Sequence, residues 1–174
     1  MESDEYLIIK DGYILMKISK KKLLMDEIES VLNDYGYNVK VKLTRADGCL
    51  GWTLCYDGII HIDMDKNYEL FGFHMKSEFV KYEEIPRMSL MQEVVLHELA
   101  HIILFENDYE LDYSLTKKQN DILKKNPEKR YNSQDYNRLP LEVYVNEMAS
   151  NLNIDMVYDL YCVINNFIIK NYNS

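Results

Sequence analysis

The segment Leu90–Phe105, LMQEVVLHELAHIILF, constrains this chain more than any other. It is apolar on nearly every side, which predicts a helix enclosed in a core rather than one lying on a surface. Ser89 and Gln92 fit a capping box at its start, and Pro86 stops any helix before it. Its polar positions before Glu106 are Gln92, Glu93, His97, Glu98 and His101. At ~100° per residue, His97 and His101 lie only ~40° apart on the helix wheel. A buried helix with a polar stripe needs a reason for the stripe, because unpaired buried polar groups are costly.

A zinc ion supplies that reason. Imidazoles at i and i+4 project from one helix face and can both reach a single ion. The residue after the first histidine then points beside the ion. A glutamate there can hold a water, take its proton and pass that proton to a leaving amine. Here the stretch reads His97-Glu98-Leu99-Ala100-His101, the H-E-x-x-H pattern of metalloproteases. The expected roles are His97 and His101 as metal ligands and Glu98 as the catalytic base. The bland alternative is two core histidines satisfied by hydrogen bonds.

A catalytic zinc usually takes three protein ligands and keeps one position open. His61 and His74 lie upstream, in an expected strand and loop, and His61 reads as a strand-face residue rather than a ligand. A glutamate ligand remains, and the predicted helix LPLEVYVNEMASNLN offers Glu142 and Glu147. Leu141, Tyr144, Val145, Met148 and Leu152 form its apolar face. Glu142 lies ~100° from the centre of that face and Glu147 ~120° on the other side, so periodicity leaves both open. Glu142 shares its flank with Asn146 and Ala149; the small residue admits a close helix, and the asparagine can orient a neighbouring ligand.

HELAH followed by PLEVYVNEMA resembles the ImmA/IrrE family of small zinc metallopeptidases, whose second helix has the form E-x-E-A-N-x-F-A. Glu142, Asn146 and Ala149 match its first Glu, its Asn and its last Ala; Tyr144 stands where the family has a second Glu. NEMASN also resembles the glutamate-ligand pattern of thermolysin-like enzymes, the gluzincins, which favours Glu147. The resemblance covers roughly residues 20–155. It implies a zincin-like fold, an edge strand at Ile59–Asp63 for strand addition by a peptide, and a repressor partner encoded on a phage or mobile element as substrate. The rival expectation is a zinc-stabilised regulatory protein that binds a partner without cleaving it. The presence of Glu98 favours the enzyme.

The remaining sequence predicts one α+β domain over residues 1–174, with its core at about 20–170. The expected architecture is a small, mostly antiparallel sheet packed against the H-E-x-x-H helix and the C-terminal helices. Asp11-Gly12 and Asp57-Gly58 each mark a hairpin. A helix is expected over 20–35, ended by Gly36, and a strand in YNVKVKLTR. Residues 66–87 read as loop with irregular strand. Residues 107–139 read as polar loop with one short helix near Leu115–Lys124. IDMVYDLYCVINNFIIK reads as a long apolar helix packed under the site. A net charge of −9 argues against direct nucleic-acid binding. The basic run KISKKK (Lys17–Lys22) reads as a solvated helix start. The three cysteines have no metal-pair spacing and read as thiols of a reducing compartment. With no signal peptide and no apolar run of membrane-spanning length, the expectation is a cytoplasmic protein.

Overall fold

The computed structural model describes residues 5–10, 13–44, 49–63, 70–74 and 77–172. Strands β1 (Glu5–Lys10) and β2 (Tyr13–Ser19) pair antiparallel as the expected hairpin; Asp11 and Gly12 lie outside the described residues. β2 leads directly into α1 (Lys20–Asp34), where the Ser19 hydroxyl accepts from the Lys22 N–H at 3.1 Å. α1 buries Leu24, Ile28 and Leu32 of the face expected from helical spacing, with Val31 and Tyr35 of that face partly buried and Met25 buried beside it. Gly36 ends it with φ of 91°, a left-handed conformation that glycine adopts without a Cβ clash.

Three strands form the central sheet in the order β3 (Lys40–Thr44), β5 (Ile59–Asp63), β4 (Gly51–Leu54). β4 and β5 are the antiparallel arms around Asp57-Gly58, with a 3-10 turn at Cys55–Asp57. β3 pairs with β5 in parallel, so this sheet is mixed. The order corrects one expectation: β5 is the central strand, bonded on both sides, and β4 is an edge. A hairpin turn specifies that β4 and β5 pair, but not which of them accepts β3. A third pair, β6 (Phe73–His74) with β7 (Met88–Ser89), precedes the long helix.

α2 (Leu90–Asn107) is the buried helix of the opening segment. The Ser89 hydroxyl accepts from the Gln92 N–H at 3.2 Å, but the Gln92 amide donates to the Val157 carbonyl at 2.7 Å. Only half of the expected capping box forms, because the side chain joins two helices instead. α3 (Tyr109–Lys125) is a full helix where a polar loop with one short helix was expected. A 3-10 turn at Pro127–Arg130 and the short α4 (Ser133–Tyr136) lead to α5 (Pro140–Ala149) and α6 (Ile154–Tyr172). α6 packs on α1 and the start of α2. Among the described residues it contributes nothing to the cleft beside the histidines, so it braces α2 from behind rather than flooring the site.

The core joins Ile60 and Ile62 of the sheet, Val95, Leu96 and Leu99 of α2, Val145 of α5, and Val157 and Leu160 of α6. Among the described residues, no helix is long and apolar enough to cross a membrane. The closest approach of sheet to helix is at Gly51. A Cβ there would overlap Val94 Cγ1 and lie 3.0 Å from the His61 carbonyl oxygen. We therefore expect Gly51→Val to destabilise the fold by ~1–3 kcal/mol through overpacking. Urea unfolding should show that Val94→Ala recovers part of the loss, as coupling between touching residues requires.

Candidate metal centre

α2 and α5 pack side by side and bring three ligand-type atoms together. His97 Nε2 and His101 Nε2 are 3.2 Å apart. Glu142 Oε2 lies 3.2 Å from the first and 3.5 Å from the second. Each distance matches the ~3.3–3.4 Å separation that tetrahedral ligands at about 2.0–2.1 Å from one zinc ion must have. Glu142 is 2% exposed, and no hydrogen bond of good geometry reaches its Oε2. A buried carboxylate oxygen facing two imidazole nitrogens is a site that a cation would complete. The donor set of two imidazoles and one carboxylate suits zinc.

The surrounding groups fix these orientations. The His97 Nδ1–H donates to Asn146 Oδ1 at 2.8 Å, which leaves the Nε2 lone pair for the centre. Asn146 is held in turn by its amide, which donates to Asn137 Oδ1 at 3.3 Å. Gln119 of α3 clamps the other ligand. Its amide donates to Glu142 Oε1 at 2.9 Å, and its carbonyl accepts from the Leu141 N–H at 3.2 Å. One carboxylate oxygen is thereby occupied and the other is aimed at the histidines. Glu147 is exposed and stands apart from this group, so the structure brings Glu142, not Glu147, to His97 and His101. His61 sits on β5 and stacks on Trp52, with ring centroids 3.7 Å apart, and His74 is in β6.

Electrostatics follow from the enclosure. Burial opposes charge on His97, but the Glu142 carboxylate and the Glu98 charge outweigh it and hold its pKa up, at about 9. Glu142 is itself pressed toward its neutral form by burial, yet the two histidines pull it well below the usual carboxylate range. Glu98 is 8% exposed; burial pushes its pKa up, against the pull of His97 and His101. A carboxylate raised this way is a stronger base than one in water. Burial also pushes the Cys55 thiol up to about 11.

Around the centre lies a cleft of about 930 Å³. Leu50, Gly51, Trp52 and Thr53 at the β4 edge form one side, and Asp112, Thr116 and Gln119 of α3 stand on another. Tyr136 also lines it, and its phenol is pushed upward by burial and then by Glu142. Sequence reasoning missed Gln119, Tyr136 and Glu93 as cleft residues. The signal for Gln119 lay in an overlooked helix, with Asp108 before it as N-cap, Glu110 and Asp112 in its first turn and Lys124-Lys125 in its last. Tyr136 carried no signal distinguishing it among 15 tyrosines.

No protein-family model, curated protein or solved structure matches the chain. The residues and their geometry therefore carry the functional reading. In competition with a chelator, Glu142→Ala should nearly abolish zinc binding and Glu147→Ala should leave it unchanged. Gln119→Leu should weaken it by about 10–100-fold, as loss of a ligand-orienting partner does. Equal affinity in wild type and Gln119→Leu would remove the clamp from this account.

Proposed function

We propose that this chain is a zinc-dependent endopeptidase of zincin-like fold, acting on an extended segment of a protein substrate. The observation that carries the reading is the placement of Glu98. It is buried, lines the same cleft as His97, His101 and Glu142, and stays outside the three-atom group that faces one point. A purely structural metal site has no use for a carboxylate there.

The chain's own groups divide the work. Among the described residues β4 is bonded to β5 on one side only, so its other edge can pair with a substrate strand beside the histidines. His97, His101 and Glu142 would hold a zinc ion, which would supply Lewis acidity for the scissile carbonyl. Glu98 orients a water, takes its proton as the C–O bond forms, and delivers that proton to the departing amide nitrogen. Tyr136 lines the cleft, and its phenol donates to Glu142 and so steadies that carboxylate. The apolar surroundings of α2 keep bulk water from weakening these interactions.

The likeness to the ImmA/IrrE pattern supports the same reading. Glu142, Asn146 and Ala149, its matching residues, are all buried on α5. Tyr144, its departure, is 37% exposed and takes no place in the cleft lining. On that likeness the substrate is a repressor encoded beside the gene on a phage or mobile element, cleaved in the cytoplasm.

Purified protein should take up one zinc per chain. Zinc should also raise the melting temperature, since a ligand of the folded state alone stabilises it. Glu98→Gln should keep zinc and fold but cleave about 10²–10⁴-fold more slowly. If wild type and Glu98→Gln relieve the repressor equally, with no cleaved product, the protein acts by binding instead.

A further inference from the structure

One turn before His97, α2 places a second acid in the cleft wall. Glu93 is 9% exposed, and its Oε1 has no hydrogen-bond partner among the described residues. Its carboxyl is bonded by Ser77, whose own hydroxyl accepts from the N–H groups of Phe79 at 3.3 Å and Val80 at 3.0 Å. The wall around it is apolar. Leu90 and Val94 flank it on α2, Phe79 and Val80 follow Ser77, and all four line the cleft with it. Nothing in the metal-centre account uses this carboxyl.

We infer that Glu93 is the floor of a substrate subsite that takes a lysine or arginine side chain within two residues of the scissile bond; this rests on the peptidase reading. Position follows from helix geometry. Four residues along α2 separate Glu93 from His97 by ~6 Å on one face, and an extended peptide advances about 3.3 Å per residue. Chemistry follows from the wall. An aliphatic stem can lie along Leu90, Val94, Phe79 and Val80 while its cationic end meets the unpaired oxygen. Charge favours a cation over a neutral donor, because among the described residues four acidic side chains line the cleft (Glu93, Glu98, Asp112 and Glu142) against Arg130 and the two histidines of the centre, His97 and His101. Burial pushes the Glu93 pKa up to about 7, against the Ser77 hydrogen bond. Near neutrality the acid thus stands between its two forms, and a cation beside it would favour the charged one.

The test has two arms, both on the whole zinc-loaded chain. In the first, butylguanidinium and butylammonium are titrated and followed by the methyl resonances of Val80 and Val94, with butylurea as the neutral control. The cations should perturb both methyls and bind at least tenfold tighter than butylurea; Glu93→Gln should erase the difference. The comparison of cation with urea needs no variant, so it stands even if Glu93→Gln folds poorly. Equal binding of cation and urea, or binding that leaves both methyls unmoved, overturns the subsite. In the second arm, a peptide mixture is cleaved and the products read by mass spectrometry. Lysine or arginine should be preferred within two residues of the cut, on the order of a hundredfold, and Glu93→Gln should bring the preference near parity. Cleavage without that preference overturns the subsite and leaves the peptidase. Cation binding at Glu93 with no cleavage of any peptide upholds the subsite and overturns the peptidase.

Discussion

Two imidazole nitrogens 3.2 Å apart, with a carboxylate oxygen 3.2 and 3.5 Å from them, form a buried polar group that positive charge among them would stabilise. Much of the molecule serves to hold that arrangement. α2 is enclosed by β4 and β5, by α5 and by the start of α6, so its polar stripe has one direction in which to face. α5 presents Glu142 and Asn146 from one flank, four residues apart, so a single helix supplies both a facing carboxylate and the group that fixes His97. α3 then holds the second carboxylate oxygen through Gln119.

The parts legible in the sequence share a physical cause: their information is local. The spacing of Leu24, Ile28 and Leu32 specifies a helix face, Asp57-Gly58 specifies a turn, and His97 and His101 share a stripe because four residues make about one turn. The pairing of Glu142 with Asn146 is local in the same sense. What escaped was non-local. The position of β5 between β3 and β4 depends on a parallel contact that no turn encodes. Gln92 reads as a cap until α6 offers the Val157 carbonyl. Periodicity could not separate Glu142 from Glu147, because the choice depends on which flank of α5 meets α2. α3 was misread for a different reason: among its residues only Gln119 and Leu123 are buried, so its apolar periodicity is faint and its evidence is in its ends.

The same contrast separates the two sides of the cleft. The β4 side is rigidly seated, with Gly51 lying against Val94 and no room for a side chain between them. The opposite side, from Asp108 to Leu139, rests on buried Leu123 and Leu139, on partly buried Leu111 and Leu115, and on the Gln119 hydrogen bonds. One wall is set by backbone packing and the other by side-chain contacts, some of which reach the metal centre.

That second wall would give a metal bound at the candidate centre a topological role. His101 and Glu142 are 142 − 101 = 41 positions apart, and the whole of α3 and the turns after it lie between them. An ion gripping both ends would close that stretch as a cross-link closes a loop, removing chain entropy from the unfolded state worth ~4 kcal/mol for a loop of this length. Chelation would then act as the cutting of a staple. The segment over the cleft would loosen first, while α1, the sheet and α6 kept their apolar core. Loss of a bound ion and exposure of this segment to proteolysis would then arrive as one event.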